Sequence, residues 1–225
     1  MNCLENCTVE TRQDVCFCHV GDRCAVYGGM SAMLLGPADG LAEAAMRVAI
    51  GTEGCPSFEY LDRAEIHRVA VRALSSFATS EGCSRYVEER RWLFGEEEFD
   101  PFLNGMAPTE ATYLASDRDR LRGALAATYS MAGYVVRQSD TFTPCLGHMG
   151  IELDFMRHCL EQVRGGDDRF ADVARCFFGE HLREWGVLFA VVLRDKAAHP
   201  GLRYLSFALD QFIATEAITF RHSLP

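Results

Sequence analysis

Lysine is almost missing from this chain of 225 residues, and acidic residues outnumber basic ones. Lys196 is the only lysine, and Lys and Arg together number 22 against 32 Asp and Glu, which leaves a formal net charge of −10. A general nucleic-acid binder is excluded, because neutralising phosphates requires a basic surface. A phosphate loop of the Gly-Lys-Ser/Thr type is excluded as well, since Lys196 lies in Arg-Asp-Lys-Ala-Ala. The acidic balance suits a basic peptide or ligand.

Long apolar runs are also missing. The longest, 186–193, is far shorter than the ~18 residues that a membrane span requires. The N-terminus has no basic region followed by an apolar one, so it does not resemble a secretory signal. We therefore expect a cytoplasmic protein with no membrane span, and a hydrophobic content of 48% is enough for one domain or two closely packed lobes.

The sequence lacks the signatures of common enzyme sites. No histidine has a glutamate three positions before it, and neither a zinc-protease motif, a nucleophile elbow nor a dinucleotide-binding glycine motif is present. His148 with Glu152, and His181 with Glu184, have the spacing at which helical side chains meet. Such pairs are more often structural hydrogen bonds than catalytic dyads. We expect no enzymatic activity and no bound cofactor.

Ten cysteines are many for a cytoplasmic protein, yet no two of them are three positions apart, so a Cys-x-x-Cys signature is absent. The group nearest the N-terminus leaves two interpretations open. It could bind zinc or an iron–sulfur cluster, or its members could pack as small hydrophobic residues, which their irregular spacing favours. The residues of the metal-binding alternative are Cys3, Cys7, Cys16, Cys18 and Cys24.

Helical periodicity recurs along the chain and no segment alternates with a period of two, so the sequence predicts an all-α fold. Two long loops, 95–112 and 138–147, separate the helices, and loops of this length are often functional. The expected helices are 15–35, 38–50, 58–78, 84–94, one that begins at 116–119 and continues to 136, 147–165, 168–193, and a last one that begins at Pro200.

The helix expected at 147–165 is the one around which we interpret the rest of the chain. One apolar stripe follows helical spacing and comprises Met149, Leu153, Met156, Leu160 and Val163. A second comprises Ile151, Phe155 and Cys159. Only a narrow strip with Glu152, Arg157 and Glu161 is left for water, which is typical of a helix in the middle of a bundle. His148 stands at its first turn, a position suited to function or to structure.

Four segments resemble, in order and spacing, motifs of the TorD/DmsD/NarJ family of cytoplasmic redox-enzyme maturation chaperones, and the resemblance covers residues 20–220 or so. The segments are Trp92–Gly95, similar to a Leu-Phe-x-Gly segment; Pro108–Tyr113, similar to Pro-x-x-Ser-x-Tyr; His148–Met156, similar to Asp-His-hydrophobic-Gly-x-Glu-Leu-x-Phe-Met; and Phe177–Trp185, similar to Phe-x-x-x-His-Leu-x-x-Trp. Gly147 stands where the family often has aspartate, and Ala111 where it has serine.

The resemblance implies an all-α helical bundle of the TorD-like type with two closely packed lobes, 15–137 and 138–225. The loop 138–147 would be the hinge. Residues 1–14 are polar and lack periodicity, so we expect a flexible cysteine-containing tail before the first lobe, which is not a feature of the family. The resemblance also implies a chaperone that binds the signal peptide or the apo form of a molybdopterin-containing oxidoreductase. Such a chaperone assists cofactor insertion and delays export by the twin-arginine route until the cofactor is in place.

The two long loops indicate where a client peptide would bind. They could flank an apolar groove for the hydrophobic part of a signal peptide, while carboxylates accept hydrogen bonds from its arginines. For the three glutamates at 96–98 a solvated charged face is the open alternative, and for His148 a structural role. The candidate client-binding residues are His148, Met149, Glu152, Tyr113, Phe102, Glu96, Glu97 and Glu98. Trp185, Leu153 and Phe155 are expected in the core.

Overall fold

The computed structural model describes residues 19–54, 63–94, 107–114, 117–136 and 145–221. Within these ranges most residues are helical and none belongs to a strand, which confirms the predicted all-α fold. The helices are α1 (Val20–Leu35), α2 (Leu41–Gly54), α3 (Arg63–Phe77), α4 (Ser80–Phe94), α5 (Glu110–Tyr113), α6 (Arg118–Met131), α7 (Met149–Arg164), α8 (Arg169–Phe177), α9 (Arg183–Lys196) and α10 (Pro200–Arg221). A short 3₁₀ turn, Ala38–Gly40, precedes α2.

Several helices have ends a few residues from the expected ones: α2 is Leu41–Gly54 instead of 38–50, and α4 begins at Ser80 instead of at 84. Two further differences affect helices near the middle and the end of the chain. The helix expected to continue to Val136 ends at Met131, since Gly133 adopts a left-handed φ of 63°, a conformation that glycine accepts and a helix does not. The helix expected over 168–193 is interrupted by a π-helical segment, Phe178–Leu182, between α8 and α9. Pro200 begins α10 as predicted, because proline is suited to the first helical position.

Helix α7 lies in the middle of the molecule and packs against α1 on one side and α8 on the other. Both of its predicted apolar stripes are buried except at Val163, which is half-buried near the end of the helix, and Leu153 and Phe155 are fully buried as predicted. The expectation that Glu152 faces water is wrong, because this side chain has no exposed surface. Its side of α7 is covered by Trp185 of α9, whose indole donates a hydrogen bond to it.

A buried ion pair connects the first described helix with the last. Nη2 of Arg23 in α1 donates to Oε2 of Glu216 in α10 at 2.6 Å, and the Tyr27 hydroxyl donates to the same oxygen at 2.8 Å. Removing one partner of such a pair leaves a buried charge without compensation, which typically costs about 3–5 kcal/mol. This pair therefore holds α1 and α10 together. In the described part of the chain, no helix combines the length and the apolar character that crossing a membrane requires.

Candidate functional site

Two segments that are distant in the sequence meet at the start of α7. Thr109 and His148 form an isolated antiparallel β-bridge. The Met149 amide donates to the carbonyl of Pro108 at 2.8 Å, and the Glu110 amide donates to the carbonyl of Gly147 at 3.0 Å. The Pro108–Tyr113 segment is thereby held directly beside the first turn of α7.

His148 is the N-cap of α7. Its Nδ1 atom accepts a hydrogen bond from the Gly150 amide at 3.0 Å, which satisfies one of the free donors at the helix start. The side chain is buried, and burial, with a smaller contribution from the Arg90 charge, lowers its pKa to about 3. His148 is therefore neutral at pH 7, as an accepting cap requires.

The π-helical segment places His181 against Glu110 of α5. Both residues are buried, and the Nδ1 atom of His181 lies 2.9 Å from Oε2 of Glu110 and 3.2 Å from Oε1. His181 thus pairs with a residue of another helix and not with Glu184, its helical neighbour. A π-bulge within an α-helix frequently marks a functional position, because it redirects the side chains around it.

Glu152 lies beside this pair. The indole Nε1 of Trp185 donates to its Oε2 at 3.0 Å, and no donor among the described residues reaches its Oε1. Burial raises the pKa of Glu152 well above its usual range, and the charge of Glu110 raises it further, with a hydrogen bond between the two carboxyl groups. The buried position of Glu152 and the neighbouring carboxyl group of Glu110 thus favour the protonated form of Glu152.

Tyr113 covers the outer side of this group. Its ring is stacked on Trp185 with centroids 5.7 Å apart and meets the edge of Phe189 at 6.0 Å. The hydroxyl is buried without a hydrogen-bond partner among the described residues, and burial raises its pKa. The polar network of Glu110, Glu152, His181 and Trp185, called the buried network below, is therefore closed off by an aromatic ring.

Four of the eight candidate client-binding residues lie in this neighbourhood. Met149 and Glu152 are fully buried, His148 is nearly so, and Tyr113 is half-buried. That these residues contact a client stays a prediction. Phe102, Glu96, Glu97 and Glu98 lie outside the described residues. The sequence reasoning missed Glu110 and paired His181 with the wrong residue, although both lie within segments that carry the family resemblance.

Of the five cysteines of the metal-binding alternative, only Cys24 lies within the described residues. Cys3, Cys7, Cys16 and Cys18 lie outside the described residues. Cys24 is buried, and burial raises its pKa to about 11, which disfavours the thiolate that metal binding requires. In the described ranges no group of three or more His, Cys, Asp or Glu side chains is placed to hold a metal ion.

The fold and this site define an all-helical protein in which motifs distant in sequence are joined by one buried network. A family model described as nitrate reductase delta subunit matches residues 68–191, more than half of the chain. The chain belongs to this family, a NarJ/TorD-type family of molybdoenzyme maturation chaperones, which confirms the resemblance. No curated protein and no solved structure matches the chain significantly.

Proposed function

We propose that this protein is a system-specific cytoplasmic chaperone for one molybdopterin-containing oxidoreductase. It binds the signal peptide or the apo form of the catalytic subunit, assists insertion of the cofactor, and delays twin-arginine export until insertion is complete. Family membership supports the broad role, since chaperones of this family act on molybdoenzyme subunits. The chain's net charge of −10 favours a client segment that carries arginines.

The observation that best supports the proposed function is that three of the family-like segments each contribute residues to the buried network. Pro108–Tyr113 contributes Glu110, His148–Met156 contributes Glu152, and Phe177–Trp185 contributes His181 and the indole. Three of the four segments that resemble the chaperone family in sequence are therefore also in contact in space. Such agreement is expected when the motifs maintain one shared architecture.

The candidate residues then divide into two roles. Phe102 and Glu96 to Glu98 come shortly before the β-bridge in the sequence, and we propose that they contact the client. His148, Met149 and Glu152 would reach a client only if the bridge between Thr109 and His148 opened. Their proposed role is therefore to hold the bridge closed in the free protein and to become accessible when a client displaces it.

Capture of the client from the native cytoplasm tests this function. The tagged chaperone is expected to retain a molybdenum oxidoreductase subunit without its cofactor, and to release it once the cofactor is inserted. The control is a client whose two leader arginines are replaced by glutamine, which should be retained less well if the leader is bound. Equal capture of cofactor-free and cofactor-loaded enzyme, or capture of neither, contradicts the proposal.

A His148→Ala variant tests the start of α7 separately. Loss of the cap should weaken the start of α7 by about 1 kcal/mol, so folding must be verified first. If the folded variant captures the client as well as the wild type does, His148 has no part in recognition.

A further inference from the structure

A cleft of about 510 Å³ lies between α6 and α8, on the outer side of the π-helical segment. Its volume is in the range of sites that bind small ligands or peptide side chains. The wall is predominantly apolar. The residues that matter for its chemistry are Met131, Phe170, Val173, Cys176, Phe177 and Glu180.

The rim of the cleft exposes a large apolar side chain. Met131, the last residue of α6, is 82% exposed. Methionine is flexible and polarizable, so it adapts to ligands of different shape. An exposed apolar side chain at the mouth of an apolar cleft gains free energy when a ligand covers both, because more apolar surface is then removed from water.

The charges around the cleft are neutralised except at one position. Arg169 is held by Asp167 through two hydrogen bonds of 2.8 and 2.9 Å, and Asp172 is paired with Arg175 one turn later in α8. Glu180 is exposed, and no partner for it is found among the described residues. The cleft therefore offers one carboxylate beside an apolar surface, which complements a basic side chain next to apolar ones.

The inner end of the cleft reaches His181. Because the Nδ1 atom of His181 contacts Glu110, a ligand in the cleft would lie against the buried network that joins the three segments. The cleft is thus connected to the start of α7 through His181 and Glu110, although His148 itself does not line it.

We propose that this cleft docks a client peptide whose apolar residues fill the space between α6 and α8 while an adjacent arginine pairs with Glu180. This inference rests on the proposed function and adds the place and the chemistry of the contact. The probe is a synthetic leader-like peptide in which two arginines precede an apolar run of about 10 residues. Its counterpart has glutamine in place of both arginines.

Charge removal at the rim tests the arginine contact. Glu180→Gln is expected to weaken binding of the arginine peptide by about two- to fivefold, as for an exposed ion pair, and to leave the glutamine peptide unaffected. Glu184→Gln is the matched control, since Glu184 is an exposed acid one turn later that does not line the cleft. A Glu180→Gln effect equal in both peptides, or equal to that of the control, contradicts this contact.

Introducing charge into the apolar rim tests the other half of the site. Met131→Asp is expected to weaken binding of both peptides by about tenfold or more, because it removes a methionine contact and places a charge against apolar residues. Val191→Asp is the control, since Val191 is exposed on α9 and does not line the cleft. Both positions are at the surface, so circular dichroism should show unchanged helicity in either variant.

Cysteine crosslinking locates the bound peptide directly. Cys176 lines the cleft, whereas Cys145 is exposed shortly before the start of α7. A bromoacetyl form of the arginine peptide should modify Cys176 in preference to Cys145, after correction for the reactivity of each thiol toward iodoacetamide. Unchanged affinity in Glu180→Gln and Met131→Asp, or attachment at Cys145, overturns the docking site and leaves the proposed function standing. Failure of the wild type to bind either the peptide or a cofactor-free client overturns the proposed function itself.

Discussion

The Nδ1 atom of His181 lies 2.9 Å from a carboxylate oxygen of Glu110, although 71 positions separate the two residues in the sequence. The contact joins α5, a helix of four residues, to the π-helical segment that follows α8. A helix of this length is not stable by itself. Its position therefore depends on this contact, on the hydrogen bonds of the β-bridge, and on the stacking of Tyr113 against Trp185.

Replacing Glu110 by alanine should destabilise the protein. The change removes the partner of the buried His181 ring and the second carboxyl group beside Glu152, and leaving buried polar groups without partners costs about 1–3 kcal/mol. Glu110→Gln keeps one acceptor oxygen and should cost less. The measurement is the free energy of unfolding in urea, with Glu184→Ala at an exposed position as control. Equal losses in Glu110→Ala and the control would mean that the contact contributes nothing.

The sequence predicted the helices well where apolar periodicity is strong. The buried stripes of α7 were recognised because residues at steps of three and four share one helical face, which is a property of the local sequence. The burial of Glu152 could not be recognised in this way. It depends on Trp185 and Glu110, which come from other helices, and on the raised pKa of Glu152, which favours its uncharged form.

The π-helical segment left no clear signal in the sequence. Phe177, Phe178, His181 and Leu182 are all buried, so steps of four connect the buried residues across the segment, as they would in an ordinary α-helix. The contact of His181 with Glu110 could not be predicted either, because 71 positions separate the two residues in the sequence.

Glu152→Gln should change how stability depends on pH. The pKa of Glu152 is raised above 4.5 in the folded protein. At pH values between 4.5 and the folded pKa, the folded state therefore holds a proton that the unfolded chain has released. This contribution to stability is complete below pH 4.5 and is lost as pH rises through the folded pKa, at up to about 1.4 kcal/mol per pH unit. Glutamine accepts from Trp185 and donates to Glu110 without taking up a proton. The stability of the variant relative to wild type should therefore increase from pH 4.5 upwards in urea unfolding. A constant difference would show that Glu152 is not protonated in the folded state.

His148→Asn should have the opposite effect on acid stability. Burial lowers the pKa of His148 from 6.5 to about 3, so below pH 6.5 the unfolded chain binds a proton that the folded state does not. The contribution of His148 is complete above pH 6.5 and is lost as pH falls towards 3, again at about 1.4 kcal/mol per pH unit. Asparagine is also a good N-cap but does not titrate.

The variant should thus lose less stability than the wild type between pH 6.5 and 3, whatever constant cost the smaller side chain adds. His67→Asn is the control, because His67 is exposed on α3. In the wild type the contributions of His148 and Glu152 oppose each other between pH 4.5 and 6.5, so each is visible only by comparison with its own variant. Parallel pH profiles for His148→Asn and the wild type would contradict the buried, neutral cap.

Substitutions of Gly147 test whether the buried network tolerates a side chain at this position. A Cβ atom placed here would lie 3.3 Å from Leu125 Cδ1 and 3.6 Å from Oε1 of Glu152. Gly147→Ala should therefore be tolerated with a small shift of the flexible leucine. Gly147→Asp adds a third carboxyl group beside Glu110 and Glu152, and like charges at this distance are unfavourable.

The informative comparison is between Gly147→Asp and Gly147→Asn, which have the same shape and differ in charge. At pH 7 the aspartate variant should be less stable than the asparagine variant by about 1–3 kcal/mol, and the difference should shrink as pH falls, because protonation removes the added charge. Adding Glu110→Gln to Gly147→Asp should restore part of the loss, since one of the three acidic groups is then neutral. Equal stability of the aspartate and asparagine variants at pH 7 would mean that the side chain at 147 turns away from Glu110 and Glu152. In that case the glycine is not required by the two carboxyl groups.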